Sequence, residues 1–507
     1  MATPVFTFKS TAYAADVFSV VDFQGTEAIS SLYQFDIGLK CDVSKTVDLN
    51  TLHASAATLS IASDGTTNAY SGVLAWVEQR QVAGGYRHYR VRLVPPLWQL
   101  SLNTGTSGFV SQTHLQVLQQ LLKNAGFTSG VDFDTSAAIA KYPPYDFTCQ
   151  YRESNLAFAS RLMEYEGIYF YFEEVNGQCK LMLADGLAYP ALPAHATIPF
   201  TDPGSTKDYD SIVGLTQQLA TVPAEVVVTG YTYQQPTLAV TGTGAVKVNG
   251  SAVTGSHKAW LYDHLVQDTD AVKQLAQVRA QEQGCWACVY SGSGAVPGLR
   301  AGYTFTLESH PVAAFNRGYL VVSVQHSARN LDQSWGTGSS ASQDGGSNDA
   351  YYSNQFTLVP SGVQFRPRQV TPRPRVAGLL SATVYQSAAA NALDYVTGAD
   401  SVTGINAFTL PIPPMDDQGR YQVSLPFADG SVPGSSAVSA SIRMAQPSAG
   451  IGDIDGFGNG AQFMLEPGAE VLLAFVDGNP DLPLICGAVY NGRMISWLTS
   501  AVSALAF

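Results

Sequence analysis

The feature that most constrains the fold is the stretch Cys149 to Phe172, CQYRESNLAFASRLMEYEGIYFYF, which predicts a helix followed at once by a strand. Ser154 or Asn155 can cap the start of the helix, because a side-chain oxygen there accepts a free backbone N–H. One apolar stripe recurs at helical spacing, formed by Leu156, Ala159, Leu162 and Met163. Gly167 is suited to end the helix, and the apolar run Ile168 to Phe172 predicts a strand that is covered on both faces.

Alternating apolar and polar residues predict that the first part of the chain, residues 1–95, is a β domain. Its spacing is typical of an antiparallel barrel or sandwich, with strand patterns at Val17–Phe23, Tyr33–Leu39, Ala69–Leu74 and Tyr89–Val94. The 25 tyrosines and 23 phenylalanines of the chain also favour strands over helices. We therefore expect a mainly β protein with a few helices.

Two further regions lie between this β domain and a Pro- and Arg-rich segment that begins at Gln364. Residues 96–190 mix helix and strand, and a leucine stripe predicts a helix from His114 to Ala125. Residues 191–365 return to β-structure, interrupted by a helix from about Asp270 to Glu282. A polar, Gly- and Ser-rich segment at 334–349 predicts a mobile loop.

The sharpest boundary is the segment Gln364 to Val376, QFRPRQVTPRPRV, which has three prolines and no acidic residue. Proline keeps the residues before it extended, so we predict a linker at 366–376. It carries the basic residues Arg366, Arg368, Arg373 and Arg375.

Residues 377–492 predict a small closed β-barrel of the OB type, with about five short strands separated by turns. This region holds eleven acidic and two basic residues, a net charge of −9, which would repel a phosphate backbone. A short tail, 493–507, follows it.

The sequence offers little that predicts catalysis or cofactor binding. Cys285 and Cys288 have CxxC spacing, but there is no second CxxC, so we expect structural cysteines and no metal. Four acids lie within or directly after the stretch Cys149–Phe172 and could act on a sugar: Glu164, Glu166, Glu173 and Glu174. We expect the two at the helix end, Glu164 and Glu166, to be solvated. The glycine segment Gly456–Gly460 lacks the lysine and helix of a phosphate loop and predicts a turn.

Charge and hydropathy exclude some functions. The net charge of −13 argues against nucleic-acid binding. The first ten residues have no basic stretch followed by an apolar core, and no apolar run is long enough to span a membrane, so we expect neither a secretory signal nor a membrane helix.

Several segments in order resemble the VgrG family, the spike proteins of type VI secretion systems, whose front half is related to the tail hub of T-even phages. The matching segments are Ser31–Leu39, Cys149–Phe172, Phe315–Ala328, Gly419–Phe427, Ser441–Gly450 and Asn459–Gly492. Each is a weak turn-and-strand pattern alone, but together they cover nearly the whole chain.

The resemblance implies a homotrimer with hub β-barrel domains at 1–95 and 191–365, a mixed segment at 96–190 and an OB domain at 377–492. It implies a non-enzymatic protein without cofactors that links the inner tube to the puncturing tip and delivers effectors across a target-cell membrane. The implied partners are the inner-tube ring protein, a conical tip protein, baseplate proteins, and an effector or adaptor. It also implies a cytoplasmic baseplate location before firing and export without a signal peptide.

Some alternatives stay open at this point. The 493–507 tail is too short for the β-helical needle of the family, so the needle is either natively absent or truncated. The protein could instead be the hub–spike of a contractile phage tail or, as the weaker alternative, a carrier of a cell-wall hydrolase. For the trimer, we hypothesise that the four linker arginines of one subunit pack on the acidic surface of a neighbour.

Overall fold

A computed structural model describes residues 4–63, 66–202, 210–330, 351–385, 415–447 and 463–492. The predicted loop at 334–349, the glycine turn at 456–460 and the tail at 493–507 lie outside these residues. Among the described residues the α-helices are α1 Leu49–His53, α2 His114–Asn124, α3 Asn155–Glu166 and α4 Thr269–Cys285. Short 3₁₀ helices occur at Pro96–Ser101, Ala313–Phe315 and Val476–Gly478.

The strands β1 to β26 are numbered in chain order. The first six are β1 Val5–Ser10, β2 Ser19–Ala28, β3 Gln34–Asp42, β4 Ala56–Ser63, β5 Thr66–Ala83 and β6 Tyr86–Val94. The next six are β7 Thr104–Thr113, β8 Phe133–Ala137, β9 Pro144–Ser154, β10 Tyr169–Val175, β11 Gln178–Ala184 and β12 Thr197–Pro199. Then come β13 Ile212–Leu219, β14 Glu225–Thr229, β15 Thr241–Ala245, β16 Lys247–Val248, β17 Ser251–Ala252 and β18 Lys258–Tyr262. The last eight are β19 Cys288–Gly294, β20 Thr304–Glu308, β21 Gly318–Arg329, β22 Tyr351–Pro360, β23 Leu380–Val384, β24 Val423–Ser424, β25 Glu470–Phe475 and β26 Pro483–Val489.

The chain divides into two compact units. Unit 1 comprises Met1–Leu102, Gly126–Lys141 and Leu162–Val370, and unit 2 comprises Asn103–Ala125, Tyr142–Arg161 and Thr371–Phe507. The sequence-based domain limits at 95, 190 and 365 are a different division of the chain and stay predictions.

Unit 1 is built on a sheet of twelve strands, ordered β1-β4-β5-β6-β3-β2-β21-β22-β19-β13, with β20 on β21 and β12 on β20. The antiparallel pairing of β2 with β21 joins strands from residues 1–95 to strands from residues 191–365 in one sheet. Along β1 and β4 every second residue is buried, which is the period that the alternating sequence pattern predicts.

Smaller sheets complete unit 1. The strands β10, β11 and β8 form one, and Ile168 to Phe172 are all buried, as the unbroken apolar run predicted. The strands β15, β14 and β18 form another, against which α4 packs. Gly242 and Gly244 permit this contact, because a Cβ on Gly244 would lie 2.4 Å from the backbone oxygen of Ala276 in α4.

Unit 2 contains the β7–β9 pair, helix α2 and a four-stranded sheet ordered β24-β23-β25-β26. A reciprocal cap starts α2, since the Gln116 N–H donates to Thr113 Oγ1 and the Thr113 N–H donates to the Gln116 side chain. One apolar core joins β9 to the four-stranded sheet, with Cys149, Tyr421, Val471 and Ile485 at most 1% exposed.

The predicted OB barrel is only partly visible in this unit. Strands β25 and β26 form an antiparallel pair, but the segment Ser441–Ala445 pairs only through isolated bridges at Ile442 and Met444. Residues 386–414 and 448–462 lie outside the described part, so the barrel at 377–492 stays a prediction.

Candidate functional site: the arginine-rich linker

The first half of the linker lies against its own chain in unit 1. The buried Arg366 guanidinium donates to the backbone oxygen of Gly167 at 2.7 Å and to Gln281 Oε1 at 2.8 Å. The Arg368 guanidinium lies 4.4 Å above the ring of Trp286, whose indole N–H donates to the Arg366 carbonyl. The Arg366 side chain is therefore buried and hydrogen-bonded within unit 1, while the Arg368 side chain stays exposed above the Trp286 ring.

Arg366 belongs to a larger arrangement at the C-terminal end of α3. The last carbonyls of a helix have no partner within the helix, and a buried helix end must satisfy them elsewhere. Ile168 donates to the Met163 carbonyl, and Gly167 adopts a φ of +74°, as a glycine cap does. Arg279 of α4 donates to the carbonyls of Glu164 and Tyr165, so two arginines complete the end of α3.

The second half of the linker belongs to unit 2 and is more open. Arg375 is 72% exposed at its side chain and lies 3.5 Å from Asp477, which is 65% exposed. Such a surface pair contributes little to stability. Arg373 is half-buried. The four arginines named by the sequence therefore differ, with Arg366 buried and Arg368 and Arg375 exposed.

The expectation that Glu164 and Glu166 are solvated is wrong. Both are 7% exposed, and Glu164 Oε2 accepts a hydrogen bond from the Val370 N–H at 3.0 Å. The reason is that the helix end is enclosed by other parts of unit 1, which the local sequence does not reveal. Glu174 is also largely buried, and burial raises the pKa of its carboxyl.

The CxxC cysteines lie at the junction of α4 and β19, and both are buried free thiols. Burial raises the pKa of Cys285 to about 12, which disfavours the thiolate that redox chemistry and metal binding need. Within the described ranges, no three His, Cys, Asp or Glu side chains are grouped so that they could hold a metal ion.

Sequence reasoning missed a buried ion network in unit 2. The Arg161 guanidinium makes a bidentate pair with Glu153, donates to the Cys149 carbonyl at 2.8 Å and approaches Asp481 at 3.8 Å. Asp481 in turn accepts from the Cys149 N–H at 2.6 Å. The charged side chains are 2–8% exposed. The available signal was Arg161 itself, the single arginine in helix α3.

A second missed network lies inside the large sheet of unit 1. Tyr70 donates to Glu27 Oε1 at 2.9 Å, and His326 contacts the same oxygen at 3.1 Å and the Tyr352 hydroxyl at 2.7 Å. The side chains come from β2, β5, β21 and β22, so the network joins four strands of one sheet. Each of the two networks is enclosed by the unit that contains it and fixes the positions of the elements that it joins.

The described residues hold no helix that is long and apolar enough to span a membrane.

Comparison with protein families gives a match over residues 26–332 to the family described as phage tail baseplate hub (GPD). The chain is 27% identical over 490 residues to the type VI secretion system spike protein VgrG1b of Pseudomonas aeruginosa, covering 94% of this chain and 59% of that protein. It is 28% identical to the actin cross-linking toxin VgrG1 of Vibrio cholerae, covering 83% of this chain and 35% of that protein. The chain thus spans about 59% of the length of the first relative.

Solved structures share the fold. An Escherichia coli protein described as a component of the type VI secretion system, with structural similarity to the phage T4 tail proteins gp27 and gp5, matches with a TM-score of 0.62 at 18% identity. The match covers 95% of this chain and 99% of that one. A chain of a Francisella PdpA–VgrG complex matches with a TM-score of 0.56 at 9% identity, covering 97% of this chain and 72% of that one. The predicted fold class, mainly β with a few helices and hub-like, is confirmed.

Proposed function

We propose that the chain, which belongs to the phage tail baseplate hub (GPD) family, is the hub-and-spike core of a type VI secretion system. In this role it is a homotrimer that links the inner tube to a puncturing tip and delivers effectors into target cells. It would sit at the cytoplasmic baseplate before firing and leave the cell through the machine itself.

The observation that carries the proposal is the extent of the alignment with spike proteins. It runs through 94% of the chain, from the hub family match into the region beyond the linker. A match confined to residues 26–332 would support a tail hub of any kind, whereas this one includes the acidic C-terminal region that the family match omits. The curated relatives are named as spike proteins, which supports a structural role.

The mechanism we propose is mechanical. Sheath contraction would push a rigid trimer, and rigidity is supported by the continuous twelve-stranded sheet with its enclosed Glu27–His326 network. A threefold ring needs heterologous contacts, so each subunit must present two different surfaces. The partners would be the inner-tube ring protein, a conical tip protein, baseplate proteins and an effector or adaptor.

A non-enzymatic role is part of the same proposal. The toxin relative of Vibrio cholerae is matched over only 35% of its length, so its toxin activity is not carried over to this chain. The buried acids and thiols described above serve packing, and we propose that the chain acts without catalysis.

A second candidate is the hub of a contractile phage tail. It is favoured by the description of the matching family, which names a phage baseplate. Capsid and terminase genes beside this gene would support the phage assignment, and secretion-system genes would support the first.

Mass and secretion measurements test the proposal. Light scattering of the purified protein should give about three times the 53.9 kDa chain mass. Deleting the gene in its host should stop release of the inner-tube ring protein, and restoring it should restore release. A monomer at high concentration, or unchanged release after deletion, would overturn the assignment.

A further inference from the structure

An open groove of about 420 Å³ lies on one face of the large sheet in unit 1, where β3, β2, β21 and β22 run side by side. The strand register sets its side chains in two rows across the four strands. One row consists of Asp36, Gln24, Ser327 and Ser353. The other consists of Gln34, Thr26, Gln325 and Gln355. Because the rows are two residues apart on every strand, both face the same side of the sheet.

The lining is polar but carries no free charge. Asp36 is the single ionisable side chain in the two rows, and Arg92 neutralises it through contacts of 2.7 and 3.0 Å. Six neutral side chains in the groove make no hydrogen bond to any described residue: Gln24, Thr26, Gln325, Ser327, Ser353 and Gln355. Their amides and hydroxyls can both donate and accept, so the groove offers mixed hydrogen-bonding capacity along four strands.

This chemistry excludes most ligand classes. Phosphate and nucleic acid need unpaired Lys or Arg, and the arginine beside the groove is held by Asp36. A divalent cation needs several free carboxylates or carbonyls. Lipids, and the centres of stable protein interfaces, call for apolar and aromatic side chains, which the two rows do not contain. A neutral ligand rich in hydroxyl groups needs neither charged nor extensive apolar partners, and it can hydrogen-bond to the amides and hydroxyls of the two rows.

An aromatic side chain lies on the same sheet beside the groove. On β5, Trp76 is paired with Arg92, and the Arg92 guanidinium lies 5.2 Å from the Trp76 ring. Arg92 on β6 and Trp76 on β5 therefore extend the line of the first row beyond Asp36 over two further strands. The half-buried Trp76 ring offers apolar surface to the C–H faces of a sugar, while the neighbouring groups serve its hydroxyls.

We propose that this face of the sheet is a binding site for a neutral glycan. The site is formed by the strands themselves, and side chains on paired strands are held more precisely than those on loops. Its groove is long enough to cross four strands, about 14 Å at the usual strand spacing, which suits an oligosaccharide.

Calorimetric titration of the full chain with soluble oligomers of glucose and of N-acetylglucosamine tests the proposal. We expect at least one to bind with a dissociation constant of about 1 mM or tighter. The double variant Gln325→Ala/Gln355→Ala should weaken binding about tenfold, because each amide loses a hydrogen bond. Both residues are exposed, so the fold should be retained, which circular dichroism checks.

The matched control is Gln79→Ala/Gln81→Ala, which removes two exposed glutamines from β5 outside the groove. Its affinity should equal that of the unmodified chain. Absence of binding by every oligosaccharide, or equal loss in the control, would overturn the proposal. Binding of an uncharged extended peptide in place of the glycans would also overturn it and assign the groove to a protein partner.

Discussion

At the residue scale, three buried arginines satisfy backbone carbonyls in the interior of a chain that has few charged residues. Charged residues make up 13% of the chain, and yet Arg161, Arg279 and Arg366 each donate to backbone carbonyls inside it. In an enclosed site a carbonyl without a partner costs more than an average hydrogen bond contributes. Arginine suits this role because its guanidinium stays charged and supplies five donors.

Replacing Arg366 by Met should therefore destabilise unit 1 by about 2–3 kcal/mol, because the Gly167 carbonyl loses its charged donor. The loss should appear as a lower midpoint in thermal unfolding followed by fluorescence. Arg375→Met is the control in the same linker, and its exposed pair with Asp477 predicts a change within about 0.5 kcal/mol. Equal midpoints for the two variants would contradict the role given to Arg366.

Thiol reactivity tests the interpretation of the cysteines. Cys41, Cys149, Cys179, Cys285 and Cys288 are buried, and only Cys486 of the six is exposed. Burial raises the pKa of both Cys179 and Cys285 to about 12. A thiol with a raised pKa stays protonated, and therefore unreactive, at about pH 8. A thiol reagent at this pH should react rapidly with one group, the exposed Cys486, in the folded protein.

After denaturation the same reagent should titrate all six cysteines, and the Cys486→Ser variant should show no rapid reaction when folded. Rapid reaction of a second thiol, lost in a Cys285→Ser variant, would show a reactive CxxC site.

At the element scale, the sequence predicted what local rules decide. The helix predicted from His114 to Ala125 is observed at His114–Asn124, because its cap and leucine stripe lie within the segment itself. The pairing of β2 with β21 could not be predicted, since it joins residues about 300 positions apart. Nor could the burial of Glu164, which depends on Val370, or the free face beside Gln325, which depends on strand register.

Strand β15, with the sequence TGTGA, has no apolar pattern, and its glycines are explained by the close approach of the helix α4 backbone. Gly244→Ala should destabilise unit 1 by about 1–3 kcal/mol, because the added methyl group would meet the α4 backbone at Ala276. Gly487→Ala in β26 is the matched control, since nothing lies within 4 Å of the added atom. Unfolding midpoints compare the two, and a neutral Gly244→Ala variant would show that α4 can shift away from the sheet.

At the scale of the whole molecule, the charge along the chain is uneven. The linker carries four arginines without an acid, and residues 377–492 carry a net charge of −9. Since Arg366 is occupied within its own subunit, a contact with a neighbouring subunit would have to use the other three arginines.

The trimer hypothesis can therefore be tested with Arg366 left in place. The variant Arg368→Ser/Arg373→Ser/Arg375→Ser should weaken the trimer about tenfold, because exposed ion pairs contribute a few tenths of a kcal/mol to about 1 kcal/mol each. Raising the salt concentration to about 1 M should weaken the unmodified trimer in the same direction, because salt screens exposed charges. Light scattering over a dilution series measures both effects.

The control Arg80→Ser/Lys123→Ser/Lys141→Ser removes three exposed positive charges elsewhere and should leave the trimer unchanged. If the linker variant and the control dissociate alike, the arginines act only through net charge and the proposed contact is absent.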